Sequence, residues 1–129
     1  MDGICSISDV HVRSSTDERY TGLLRFLDSP EVESSHFIIL LGDIFDLMVG
    51  NHAEYINSYS VFFRKLQDLS LSGKRIAYFE GNHDLHLSEL FRTHFPFIEV
   101  FTEPMVYEFY QKRIHFSHGD NFDLQNYSY

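Results

Sequence analysis

Residues 36–41 constrain the fold more than any other segment, because they are apolar from Phe37 onward and end at Gly42-Asp43. An uninterrupted apolar run of this length predicts a strand that is covered on both faces. Other strands and amphipathic helices alternate around it, and this order predicts an α/β fold whose first three strands run parallel. The predicted strands are 3–8, 36–41, 75–79, 98–101, 105–110 and 113–117, and the predicted helices are 20–27, 55–69 and 88–94.

The length of 129 residues fits one domain, which we place at 1–129. A formal net charge of -9 disfavours binding of nucleic acid through a basic face. The single cysteine, Cys5, excludes a disulfide within the chain. The N-terminus lacks a signal-peptide pattern, and the apolar run at 37–41 is far shorter than the ~20 residues that span a bilayer. We therefore expect a cytoplasmic protein, with contact to a membrane surface left open.

Four clusters of polar, metal-ligating residues each follow a predicted strand. The carboxyl ends of parallel strands meet at one edge of a sheet, where functional groups gather. Carboxylate, imidazole and amide oxygen suit ions such as Mn²⁺, Fe and Zn²⁺, and a central carboxylate can bridge two of them. The clusters are Asp9-Val10-His11, Gly42-Asp43, Gly81-Asn82-His83-Asp84 and His118-Gly119-Asp120.

Each cluster also has an ordinary structural explanation. Asp is a common cap residue, and Gly-Asp and Asn-rich stretches are common turns after strands. Turns alone explain the four clusters together much less well, since each falls at a strand end. Taken jointly, they predict a metal site.

These clusters, together with Ile44-Phe45-Asp46, resemble the signature of the calcineurin-like metallophosphoesterases from residue 9 to residue 120. Within that superfamily, residues 42–46 followed by Val49-Gly50-Asn51 look like the bacterial UDP-2,3-diacylglucosamine pyrophosphohydrolases of lipid A synthesis. The resemblance implies an α/β/β/α sandwich with a mixed sheet flanked by helices. It also implies hydrolysis of phosphate esters or pyrophosphates, with a phosphorylated small molecule or a nucleotide-linked lipid as substrate.

The resemblance implies two divalent metal ions and assigns their ligands. Asp9 and His11 would hold the first ion, Asp43 would bridge both, and Asn82 and His118 would hold the second. Mn²⁺ is the first expectation for the metal, with Fe, Zn²⁺ and Mg²⁺ as alternatives.

The same resemblance implies two catalytic residues. His83 would protonate the leaving oxygen or stabilise its charge, and Asp84 would orient the imidazole of His83. The lipid A enzymes usually carry Arg where this chain has His83, and His is the commoner form in the wider superfamily.

The family pattern continues with a Gly-His-x-His stretch that residues 1–129 do not contain. We therefore expect the chain to be the N-terminal half of the sandwich, completed by a further segment or by a second copy in a dimer. Two alternatives remain beside the pyrophosphohydrolase. One is a general phosphodiesterase, and the other is a non-catalytic, metal-binding remnant.

Overall fold

The computed structural model of the chain describes residues 3–46, 52–80, 87–101, 105–109 and 112–116. Strands and helices alternate along most of this length. In chain order they are β1 (Gly3–Ile7), α1 (Glu18–Leu27), α2 (Pro30–Glu33), β2 (Ser35–Leu40), α3 (His52–Ser58), α4 (Ser60–Leu71), β3 (Arg75–Phe79), α5 (Leu87–His94), β4 (Ile98–Phe101), β5 (Met105–Phe109) and β6 (Lys112–Phe116).

The main sheet has four strands in the order β1-β2-β3-β4, and every neighbouring pair is parallel. β5 and β6 form a separate antiparallel pair. The α/β class and the parallel arrangement of the first three strands are thus confirmed. β2 lies between β1 and β3, so the residues that follow β2 emerge in the middle of the sheet edge where the metal site is predicted.

Helices cover one face of the sheet with a group of buried aromatic rings, which we call the aromatic layer. Its rings interlock, with centroids 4.7 Å apart for Phe45 and Tyr59 and 5.3 Å apart for Phe45 and Phe62. Because Phe45 lies in the loop that follows β2, the layer reaches the sheet edge. The members are Tyr20, Phe45, Tyr59, Phe62, Phe63 and Phe91, each at most 5% exposed.

The opposite face of the sheet is buried as well. Phe37, Ile39, Ala77 and Phe79 form a second apolar cluster, each at most 2% exposed. Burial on both faces explains why β2 is apolar without interruption.

Two local features differ from the sequence prediction. The helix expected at 55–69 is two helices, because the chain breaks at Tyr59, whose φ of -117° and ψ of 31° are not helical. The short helix α2 was not predicted, since Ser29-Pro30 marks only the end of α1 in the sequence. Pro30 instead begins α2, and the Ser29 hydroxyl accepts a hydrogen bond from the Val32 amide at 3.3 Å.

No helix in the described ranges is long and apolar enough to cross a bilayer.

Candidate metal centre

Two loops, residues 8–13 after β1 and 41–46 after β2, form the candidate site, and we call them the strand-end loops. Backbone hydrogen bonds continue between them where the regular pairing of β1 and β2 stops. The amides of Asp9, His11 and Val12 donate to carbonyls of the second loop at 3.2, 3.0 and 2.9 Å. The Asp46 amide donates back to the Val12 carbonyl at 2.9 Å. The backbones of the two loops are therefore held together like a pair of strands.

Three residues of the strand-end loops adopt the left-handed backbone conformation. The φ angles are 56° at Asp9, 57° at His11 and 52° at Asp43, and no other non-glycine residue in the described part of the chain has a positive φ. This backbone conformation is uncommon for residues other than glycine, although Asp and His adopt it more often than most. Such angles cost about 1–3 kcal/mol each and cluster at functional sites. The backbone itself thus distinguishes the three predicted ligands.

The side chains of Asp9, His11 and Asp43 converge. One ligand atom from each lies within 4.8 Å of the other two, and His11 Nε2 is 3.8 Å from Asp9 Oδ1. Asp43 is buried, with 5% of its surface exposed, while the side chains of Asp9 and His11 are 62% and 34% exposed. The group therefore has one buried carboxylate and two ligands that solvent and a substrate can reach.

This donor set suits a divalent cation. Carboxylate oxygens and imidazole nitrogens bind such ions at about 2.0–2.2 Å, so ligand atoms on one ion lie up to ~4.4 Å apart. The observed separations are close to that limit, and a small side-chain movement would bring all three atoms onto one ion. Two carboxylates near one imidazole also balance the charge of the ion.

Asp46 fixes the imidazole of His11. His11 Nδ1 is 2.8 Å from Asp46 Oδ1, and Arg13 Nε donates to Asp46 Oδ2 at 3.1 Å. Burial raises the pKa of Asp46, but the hydrogen bonds from His11 and Arg13 outweigh that effect and lower it. An ionised Asp46 favours a proton on Nδ1 of His11, which leaves Nε2 with a lone pair for a metal.

Sequence reasoning assigned no role to Asp46 or Arg13. The signal for Asp46 was its position in the Gly42–Asp46 segment, three residues after a predicted ligand. Its pairing with His11, 35 residues earlier, depends on the two loops lying side by side. Arg13 gave no separate signal, because one arginine in a polar stretch is ordinary.

The remaining predicted site residues lie outside the described part of the chain. These residues are Asn82, His83, Asp84 and His118. β3 ends at Phe79, at the same sheet edge as β2, so Asn82 follows that edge closely in sequence. The roles of all four stay predictions.

The sequence of the chain is similar to those of known proteins. The sequence model of the calcineurin-like phosphoesterase family matches residues 4–129. The UDP-2,3-diacylglucosamine hydrolase of Aeromonas hydrophila is 28% identical over 122 residues, covering 88% of this chain and 46% of that protein. The hydrolases of the same name from Neisseria meningitidis serogroup B and Neisseria gonorrhoeae are 34% and 35% identical over 85 and 78 residues.

The two Neisseria alignments cover 66% and 60% of this chain, and 35% and 32% of the respective relatives. The chain therefore aligns with less than half the length of each of these three proteins.

Proposed function

The chain belongs to the calcineurin-like phosphoesterase family, and from this premise we propose that it supplies the metal-binding part of a hydrolase acting on phosphate esters or diphosphates. The observation that carries the proposal is the convergence of Asp9, His11 and Asp43 within 4.8 Å at the carboxyl ends of β1 and β2. These residues lie in the loops that follow two neighbouring parallel strands, and hydrogen bonds join the backbones of the two loops. Such an arrangement suits ligands that must keep their positions during a reaction.

Divalent ions at this site would supply Lewis-acid chemistry, acidifying a water molecule and offsetting charge on phosphoryl oxygens. The protein's own part begins with orientation. Asp9 and His11 would hold one ion, with Nε2 of His11 directed by Asp46. The buried carboxylate of Asp43 would be shared between two ions. We take Mn²⁺ as the first choice because the oxygen and nitrogen donors suit it, with Fe, Zn²⁺ and Mg²⁺ as alternatives.

The second half of the proposed chemistry falls on residues that follow β3 and β6. Asn82 and His118 would complete the second ion's ligands. His83 would deliver a proton to the leaving oxygen, and Asp84 would hold the imidazole of His83 in the orientation that this transfer needs.

For the substrate we propose a nucleotide-linked lipid of the UDP-2,3-diacylglucosamine type. Support comes from the names of the similar proteins. In one case the alignment with such a protein covers most of this chain. Such a substrate is amphiphilic, so the protein would work in the cytoplasm at or near a membrane surface. The acidic net charge disfavours a nucleic acid substrate. A dimer, or a further segment, would supply ligands beyond those of residues 1–129.

The test uses Asp43→Asn, which keeps the size of the side chain and removes its charge. We expect Mn²⁺ affinity, measured from the paramagnetic resonance signal of free Mn²⁺, to fall more than about 100-fold. That loss exceeds the 10–100-fold typical of residues that only support a ligand. Mn²⁺-dependent hydrolysis of bis(p-nitrophenyl) phosphate should be lost in parallel.

Asp28→Asn is the matched control, because Asp28 is an exposed carboxylate paired with Lys65 at the end of α1. It should leave Mn²⁺ binding unchanged. Equal Mn²⁺ affinity in the wild type and Asp43→Asn would overturn the metal site. Asp43-dependent Mn²⁺ binding without hydrolysis of either the phosphodiester or UDP-2,3-diacylglucosamine would instead support the non-catalytic metal-binding alternative.

A further inference from the structure

A cavity of about 440 Å³ opens beside the candidate metal centre. Its lining includes two carboxylates and two guanidinium groups. A cation held by Asp9 and His11 would therefore make the cavity net positive, which favours an anionic occupant. The lining residues are Asp9, Val10, His11, Arg13, Arg19 and Asp46.

A second cavity, of about 480 Å³, shares only Arg13 and Arg19 with the first. Its other lining residues are Ser14, Asp17 and Glu18. The two arginines therefore lie where a molecule extending away from the metal centre would pass from one cavity to the next. A substrate with two linked phosphoryl groups would extend away from the metal centre in this way.

Both arginines are held in place near His11. Asp17 accepts hydrogen bonds from the backbone amides of Arg13 and Arg19, each at 3.0 Å. One carboxylate therefore holds the backbone at both arginines. Those two hydrogen bonds lower the pKa of Asp17, so it stays ionised. Farther out, Arg19 Nη1 lies 3.5 Å from the His11 carbonyl oxygen, and Arg13 reaches Asp46 through Nε.

Much of the donor capacity of these guanidinium groups remains for a ligand. The hydrogen bond from Arg13 to Asp46 uses Nε, and the Arg13 side chain is 72% exposed. Arg19 is also exposed. A guanidinium group presents its N–H groups as a planar fork that matches two phosphate oxygens.

We infer that Arg13 and Arg19 bind the second phosphoryl group of a diphosphate substrate while the first lies at the metal centre. The two arginines would therefore determine specificity for diphosphates over compounds with a single phosphate. This inference rests on the proposed function for the role of the metal centre. It adds residues that touch the substrate without binding a metal.

The main test uses Arg19→Gln, because Arg13 also bonds Asp46 and its loss could disturb His11. Binding of inorganic pyrophosphate and of orthophosphate to the Mn²⁺-loaded chain would be measured by calorimetry. We expect pyrophosphate affinity to fall about tenfold, the effect of losing a charged hydrogen bond. Orthophosphate and Mn²⁺ affinities should stay within about twofold. Arg13→Gln in addition should lower pyrophosphate affinity further.

Arg25→Gln is the matched control, because Arg25 is an exposed arginine on the same helix as Arg19 and outside both cavities. It removes the same charge and should not change pyrophosphate affinity. Unchanged pyrophosphate affinity in Arg19→Gln, or equal loss of pyrophosphate and orthophosphate affinity, would overturn the inference. Failure of the proposed function has a different signature, since either Mn²⁺ binding would not depend on Asp43 or the Mn²⁺-loaded chain would hydrolyse neither test compound.

Discussion

The strand-end loops and the aromatic layer meet at Phe45 but are stabilised in different ways. The aromatic layer depends on side chains, with ring centroids 4.7–5.7 Å apart along Tyr59, Phe45, Phe62, Phe63 and Phe91. The strand-end loops depend on backbone hydrogen bonds, while the side chains of Asp9 and His11 remain accessible. The comparison teaches that hydrogen bonds between the backbones of the two loops, more than aromatic packing, set the positions of the ligands.

This difference predicts that mutations in the two regions affect different properties of the protein. Changes in the aromatic layer should lower the free energy of unfolding, and changes in the strand-end loops should lower metal affinity. Three substitutions test the separation.

The largest effect is expected from Phe62→Ala. Phe62 is fully buried and packs edge to face on Phe45 and Phe63. Its truncation should lower the free energy of unfolding by about 3–5 kcal/mol, through lost burial and the cavity left behind. Urea unfolding followed by circular dichroism would measure it. Val61→Ala, at a 42% exposed position of the same helix, should cost less than about 0.5 kcal/mol, and equal losses would contradict this account.

The second effect concerns Asp46→Asn, which keeps the shape of the side chain that holds His11. Without the negative charge, the preference for a proton on Nδ1 weakens and the ring is less firmly oriented. Mn²⁺ affinity should fall about 10–100-fold. The free energy of unfolding should change by less than about 1 kcal/mol, because Asp46 is partly exposed. Unchanged Mn²⁺ affinity would show that the contact between Asp46 and His11 does not support metal binding.

The smallest effect is expected from Tyr59→Phe. The Tyr59 hydroxyl is buried and finds no hydrogen-bond partner among the residues that the structure describes. A buried hydroxyl without a partner destabilises the folded state, so its removal should leave stability at pH 7 unchanged or raise it by about 1 kcal/mol. Thermal unfolding would measure this. A loss of stability above about 1 kcal/mol would indicate that the hydroxyl has a partner.

The same variant should change stability at alkaline pH. Burial, with smaller contributions from Tyr55, Tyr20 and Asp17, raises the pKa of Tyr59 to about 12. The unfolded chain would lose this proton near pH 10, while the folded chain keeps it up to about pH 12. Stability is therefore lost as pH rises between those values. Tyr59→Phe should lose less stability than the wild type over that window.

Most of the fold could be predicted from the sequence because its signals are local. β3 and β4 have the predicted bounds, and the other predicted strands agree with the structure to within one residue at each end. The break at Tyr59 escaped prediction, since Tyr55, Tyr59 and Phe62 continue a helical spacing through it. Tertiary packing of the Tyr59 ring against Tyr20 and Phe45 accompanies the break, and the spacing contains no information about that packing.

The candidate site could be predicted only in part, for the same reason. Asp9, His11 and Asp43 were accessible to sequence reasoning because each follows a strand. The contact between His11 and Asp46 and the cavity lined by Arg13 and Arg19 were not, because they join residues of separate segments. Left-handed backbone angles at three non-glycine residues also leave no mark in the sequence.

The continued hydrogen bonding between the strand-end loops has an evolutionary consequence. Each ligand sits a fixed number of residues beyond its strand, and one residue along an extended chain spans ~3.3 Å. An insertion between Ile7 and Asp9, or between Leu40 and Asp43, would break the pairing and move a carboxylate by more than a bond to a metal can tolerate. Descendants of this sequence therefore cannot readily change the length of these loops.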